Sequence, residues 1–232
     1  MLLYLICFGL PMLLAIYAQG VVKSRYAEAR KIPATYMKRD GTTGSITGAE
    51  AARIILDSAG LQQVPIQMID QGALTDYYDP RNKRICLSAD IYNGTSLADV
   101  GIAAHEAGHA IQDAQNYFFL GLTQKAFPIA RIGSQLSFYI LVAGLAANIM
   151  GLIWIGVALF GATAVYQIIN LPVEFNASSR AKSHLASLGL VDQKGIVHVH
   201  KVLSAAAMTY VAAMLSAFFQ FLYFLIRVLD HQ

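Results

Sequence analysis

Residues 105–109 of the 232-residue chain read HEAGH. On a helix, His105 and His109 lie about one turn apart and project from one face, which suits two ligands of a tetrahedral Zn2+. Glu106 stands beside the first of them, where its carboxylate can reach water activated by the metal and take its proton. Two core histidines with an accidental glutamate would instead bury three ionisable groups on one helix, which is costly unless they are paired. Metal binding is therefore the expected chemistry of this run.

A catalytic zinc keeps three protein ligands and one open position, so a third ligand must come from elsewhere in the chain. The longer HExxHxxGxxH pattern is absent, because positions 112 and 115 are both Gln. Asp113 is too far along the helix axis to share the ion; it could orient an imidazole or serve only as a solvated helix-end carboxylate. Beyond it, Glu174, Asp192 and Asp230 are the remaining acidic residues. Glu174 opens the polar run EFNASSRA directly after an apolar stretch, and Pro172 before it suits a helix start or a kink. It is preferred to Asp192, which sits beside Gly189 and Lys194 in a loop-like segment, while His184, His198 and His200 stay open as competitors.

These residues need elements to position them. Ser96 with Asp99 three residues on forms a capping signal, and LADVGIAAHEAGHAIQDAQ keeps a helical pattern to about Gln115. Ile102, Ala103, Ala104, Ala107 and Ala110 are small or apolar, as a buried active-site helix requires. Upstream, Thr47 and Glu50 make a second capping signal for a helix through Ile54, Ile55 and Leu56 that ends near Gly60. Residues 65–70 (PIQMID) read as a short strand. Residues 74–78 (LTDYY) and 83–88 (KRICLS) read as a hairpin about Asp79, Pro80, Arg81 and Asn82. The basic stretch from Lys23 to about Gly44 is expected to be irregular or helical along a membrane.

The composition says what surrounds this small polar region. Hydrophobic residues make up 56% of the chain and charged residues 13%, against about a quarter charged in globular domains. Residues 1–22, 132–173 and 202–226 carry no charge at all. A span needs about 20 residues, so the middle stretch reads as two helices, over about 132–149 and 151–171, turning near Asn148, Met150 and Gly151. Four transmembrane helices result, which excludes a disordered chain and an ordinary soluble domain. Every Lys and Arg except Arg227 lies within 23–131 or 180–201, two regions that four spans place on one side. Lys23, Arg25, Arg30, Lys31, Lys38 and Arg39 follow the first span closely and assign that side to the cytoplasm.

The expected organisation is thus a first span (1–22), a cytoplasmic domain (23–131), spans two and three (132–171), a cytoplasmic segment carrying Glu174 (172–201), a fourth span (202–226) and an outer tail (227–232). Both termini face outward, and the first span reads as an uncleaved anchor. The net charge of +3 is placed to meet lipid headgroups of the bilayer, and no phosphate loop, finger spacing or aromatic-basic platform suggests nucleic acid. Cys7 and Cys86 read as free thiols. Ser204, Ala205, Ala212, Ala213 and Ser216 allow close helix packing, within one chain or in a homo-oligomer. The spans lack interior Asp, Glu, Lys and Arg, which argues against an ion-coupled transporter.

HEAGHAIQ, then two spans, then LPVEFNASSRA resembles the small bacterial integral-membrane neutral zinc metallopeptidases over nearly the whole chain. The order of motifs is more distantly similar to the membrane heat-shock peptidases and the CAAX prenyl endopeptidases, all of the gluzincin type. The resemblance implies an α-helical integral membrane protein with four transmembrane helices and a small α+β zincin-like catalytic domain. It implies His105, His109 and Glu174 as zinc ligands and Glu106 as base. In the distant relatives an Asp commonly follows the Glu ligand by four residues; here that position is Ser178, a weaker partner for an imidazole.

The implied activity is a zinc metalloendopeptidase acting on peptide or membrane-protein substrates at the cytoplasmic membrane surface. The alternative is a catalytically silent metal-binding scaffold or adaptor. Tyr77, Tyr78, Tyr92 and His184 are candidates for the donor that stabilises the oxyanion. The strand KRICLS could hold substrate in extended form as an edge strand, and Tyr117, Phe118 and Phe119 read equally as an interfacial anchor or as core.

Overall fold

The computed structural model describes residues 1–37, 42–70, 72 and 75–230. Lys38 and Arg39 of the basic cluster, Leu74 of the hairpin and the end of the outer tail lie outside the described residues. In chain order the elements are α1 (Leu2–Ala29), β1 (Thr35–Met37), β2 (Thr43–Ser45), α2 (Gly48–Ser58), β3 (Ile66–Ile69), β4 (Tyr77–Asp79), β5 (Arg84–Ser88), α3 (Ala89–Asn93), α4 (Leu97–Ala114), α5 (Phe118–Ala147), α6 (Met150–Ser187) and α7 (Gln193–Leu229). Helices α1, α5, α6 and α7 are long and apolar enough to cross a membrane. The fold is that of a helical membrane protein with small sheets.

Two compact units divide the chain, one of residues 1–19, 118–172 and 208–232, the other of residues 20–117 and 173–207. In the first, glycines set the helix spacing. A Cβ at Gly133 would lie 2.6 Å from the Leu159 carbonyl oxygen, and one at Gly144 would lie 2.8 Å from the Ile153 nitrogen, so α5 and α6 approach backbone to backbone. Asn148 turns the chain between them with φ +54°, where the sequence places the turn; Asn tolerates this left-handed conformation better than most residues. Phe8 packs edge-on against Tyr223 and Phe224, and Phe160 stacks on Phe224.

The helices overrun the charge-free stretches. Helix α5 starts at Phe118 rather than near Ile132, and α6 runs on to Ser187. A charge ends an apolar stretch, but Lys and Arg are good helix formers and do not end a helix. Pro172 accordingly lies inside α6 and not at a helix start; it forfeits one backbone hydrogen bond, and the helix continues on both sides.

In the second unit, the basic segment is part helix and part sheet, which corrects the expectation. Helix α1 continues to Ala29, and β1 pairs antiparallel with β2, Thr35 facing Ser45. Thr47 and Glu50 form the capping box of α2, which ends before Gly60 at φ +75°. Ile46, Ile55, Leu56, Ile85, Leu87, Ile91 and Val100 form the fully buried core. Gly48 opens α2 where a Cβ would lie 2.3 Å from the Ile91 carbonyl oxygen.

The main sheet has the order β3–β5–β4, with β5 parallel to β3 and antiparallel to β4. KRICLS therefore supplies the middle strand, and both of its edges are already paired. It cannot add a substrate strand, contrary to the sequence expectation. A run with three consecutive buried apolar residues, Ile85, Cys86 and Leu87, is the pattern of a strand covered on both faces rather than of an edge.

Candidate metal centre

Helix α4 carries HEAGH. Ser96 caps it: the Ser96 hydroxyl oxygen accepts from the Asp99 N–H, and the Asp99 carboxylate accepts from the Ser96 N–H. Ala103, Ala104 and Ala107 are fully buried and leave room for a neighbour. On the Gly108 face that neighbour is the 173–187 part of α6, while Ala103 meets Gly48 of α2. At Gly108 a Cβ would lie 2.6 Å from the Ala177 carbonyl oxygen, so the glycine of HEAGH permits the helix contact that brings Glu174 to the histidines.

The contact makes a testable prediction. An ordinary helical Gly→Ala change stabilises by up to about 1 kcal/mol. At position 108 the added methyl must push the helices apart, and overpacking costs about 1–3 kcal/mol. Gly108→Ala is expected to lower the thermal unfolding midpoint and to weaken divalent-metal affinity. A raised midpoint with unchanged metal affinity would refute the close-approach role.

Three ligand atoms converge. His105 Nε2 and His109 Nε2 lie 3.1 Å apart, and Glu174 Oε2 lies 3.3 Å from the first and 3.7 Å from the second. Ligands about 2.0–2.1 Å from a tetrahedral zinc are separated from one another by roughly 3.3 Å. The donor set of two imidazoles and a carboxylate thus fits zinc in kind and in spacing, and among the described residues these three form the group able to hold a metal ion.

Electrostatics favour a cation there. Burial disfavours charge on His109, but its hydrogen bond to Glu174 and the charges of Glu106 and Glu174 win and raise its pKa to about 9. Glu106 is buried, and desolvation pushes its carboxyl up against the opposing pull of His105 and His109. A carboxylate raised towards neutrality is suited to exchange a proton.

The remaining sequence candidates fall elsewhere. Among the described residues Asp113 faces no imidazole: its Oδ2 accepts from the Tyr78 hydroxyl and from Lys83 Nζ, which ties β4 to the end of α4. Burial and this hydrogen bond push the Tyr78 hydroxyl far above the ordinary tyrosine pKa, so it is committed to structure. Asp192 caps α7, its Oδ1 accepting from the Gly195 N–H. His184 is ten residues beyond Glu174 on α6, about 15 Å along the axis. His198 lies 3.8 Å from Glu28, and His200 lies near Ser204 on its own helix. Tyr77 is exposed and Tyr92 packs against the core.

Two partners hold the imidazoles from behind. Ser178 Oγ lies 3.2 Å from His105 Nδ1, so the serine noted in the sequence does occupy that place. Gln112 Oε1 lies 3.0 Å from His109 Nδ1. Gln112 enters the sequence reading only as the place where the glycine of the longer HExxHxxGxxH pattern is missing. The available signal was its spacing: three residues after His109, it shares that histidine's face of α4.

Residues 4–229 match the protein family described as "Putative neutral zinc metallopeptidase". A curated relative from Bacillus subtilis (strain 168), "Putative membrane protease YugP", is 41% identical over 217 residues, covering 94% of this chain and 92% of the relative. No solved structure matches.

Proposed function

The chain belongs to the neutral zinc metallopeptidase family, and from that membership we propose that it is a membrane-embedded zinc-dependent endopeptidase, hydrolysing peptide bonds at the cytoplasmic face of the cell membrane. The observation that carries this reading is the convergence of His105, His109 and Glu174 with Glu106 buried beside them. His105, His109 and Glu174 would hold the ion. Zinc, when bound, supplies Lewis acidity that makes water nucleophilic near neutral pH and polarises a peptide carbonyl. Glu106 accepts the proton of the attacking water and delivers it to the departing amine. The apolar surroundings on α4 limit competing solvent and strengthen these charge interactions.

The test measures zinc content and cleavage together in wild-type protein and in Glu106→Gln. Wild-type protein holding about one zinc per chain and cleaving an unfolded polypeptide supports the proposal. Wild-type protein without zinc, or a variant that cleaves as well as wild type, overturns it.

Substrates are peptide or membrane-protein segments near the bilayer, because Glu174 lies just past the charge-free run that ends at Val173. Orientation rests on the basic residues, which favour the cytoplasm. The native cysteines are buried, so Gln63→Cys, at an exposed position, reports the side of the 23–131 segment. It is expected to resist an impermeant thiol reagent added outside intact cells and to react after lysis. Labelling before lysis would reverse the orientation.

A further inference from the structure

We propose that Gln112 is a positioning residue that locks His109 into the tautomer with its proton on Nδ1, leaving Nε2 to face the metal. This rests on the zinc reading above and goes one step behind the ligands. Gln112 is completely buried, and each polar group of its amide has a partner. Its Nε2 donates to the Val173 carbonyl oxygen at 2.8 Å and to Asn176 Oδ1 at 3.0 Å, while Oε1 faces His109 Nδ1 at 3.0 Å.

The order of donors leaves one solution. A backbone carbonyl only accepts, so the end of the Gln112 amide facing Val173 must be the NH2. Asn176 confirms that choice independently. Its Oδ1 also accepts from Arg180 Nε at 2.7 Å, and a guanidinium only donates. Asn176 therefore presents oxygen to Gln112, which must answer with nitrogen. With both hydrogens of Nε2 so used, Oε1 is left for His109, and His109 Nδ1 must carry the hydrogen. With zinc bound, the lone pair would then reside on Nε2, the atom 3.7 Å from Glu174 Oε2.

The same amide joins two of the ligand-bearing segments. Val173 immediately precedes Glu174, so Gln112 orients His109 from α4 and at the same time holds α6 by the carbonyl next to the third ligand. Arg180 adds a second tie, donating from its guanidinium to Gln115 Oε1 at 2.7 Å. His105 differs: Ser178 can either donate or accept, so its partner does not by itself select a tautomer.

The test compares zinc affinity, by competition with a chromophoric chelator, in wild type, Gln112→Met and Gln112→Glu, with the unfolding midpoint of each metal-free protein. Met keeps length and removes every polar contact; Glu keeps an acceptor for His109 but faces Val173 and Asn176 with no hydrogen to give. Met is expected to weaken zinc binding 10–100-fold, the usual cost of losing such a partner. Glu is expected to bind zinc more tightly than Met although its metal-free midpoint is the lower of the two. Met binding within twofold of wild type, or Glu binding more weakly than Met, overturns the proposal, since a role in packing alone favours the apolar residue. If Met does not fold, the 15N spectrum of histidine-labelled, zinc-loaded wild type decides: a protonated Nδ1 at His109 supports the lock, and a protonated Nε2 refutes it. Wild-type protein that takes up no zinc would instead count against the zinc reading itself.

Discussion

Glu106→Gln is expected to retain zinc at the wild-type stoichiometry and to lose peptide cleavage by a factor of about 10²–10⁴, which corresponds to roughly 3–5 kcal/mol of transition-state stabilisation. Retention follows from geometry, because the three converging atoms belong to His105, His109 and Glu174. Loss follows from chemistry: glutamine matches the carboxylate in shape and polarity but cannot take up a proton. Folding is not the weak point of the test. Glu106 is a buried carboxyl whose charge is disfavoured by desolvation, and an amide removes that penalty. The variant should therefore unfold at or above the wild-type temperature. Glu106→Asp separates the two halves of the claim further, since it keeps the acid and withdraws it by one methylene. It is expected to recover part of the lost rate; full wild-type cleavage in Glu106→Gln would place the base elsewhere.

The legible parts of this molecule were those encoded by local rules. Capping pairs such as Thr47 with Glu50 and Ser96 with Asp99 announce helix starts because a side chain and a backbone N–H three residues apart satisfy each other. Charge-free stretches announce membrane helices because the hydrocarbon core penalises charge. HEAGH announces its two histidines because four residues make about one turn. Glu174 was reachable for a different reason: low charge leaves few carboxylates to choose among.

What was not legible depends on contacts distant in sequence. The middle position of β5 is decided by β3, which pairs with it in parallel, and KRICLS alone cannot announce a second neighbour. Asp113 is claimed by Tyr78 and Lys83 across about thirty residues, while Gln112 is claimed by Val173 and Asn176 across more than sixty. One residue's shift along α4 exchanged the expected roles. Residue 113 points to the sheet and residue 112 to His109 and α6, a difference of about 100° around a helix. The same rotation explains Gly108, whose bare backbone meets Ala177 while His109 beside it faces Glu174.

Glu174→Ala is expected to reduce zinc from about one per chain to near none after dialysis, an affinity loss exceeding the 10–100-fold that removal of an outer hydrogen bond costs. Two imidazoles would remain, 3.1 Å apart, with no anionic ligand to complete the set. Glu174 lies on α6, and its substitution leaves the Gln112 clamp on Val173 and the Gly108 contact with Ala177 in place. The loss should therefore fall on the metal and not on the fold. Glu174→His discriminates further: imidazole is a zinc ligand, so partial recovery of zinc is expected there and not with Ala. Unchanged zinc in Glu174→Ala would remove the carboxylate from the ligand set. Asp192 and His184 could not replace it, because one caps α7 and the other lies about 15 Å farther along α6. Attention would pass to Asp76, whose charge acts on Glu106 and whose Oδ1 accepts from the backbone N–H and the hydroxyl of Ser88.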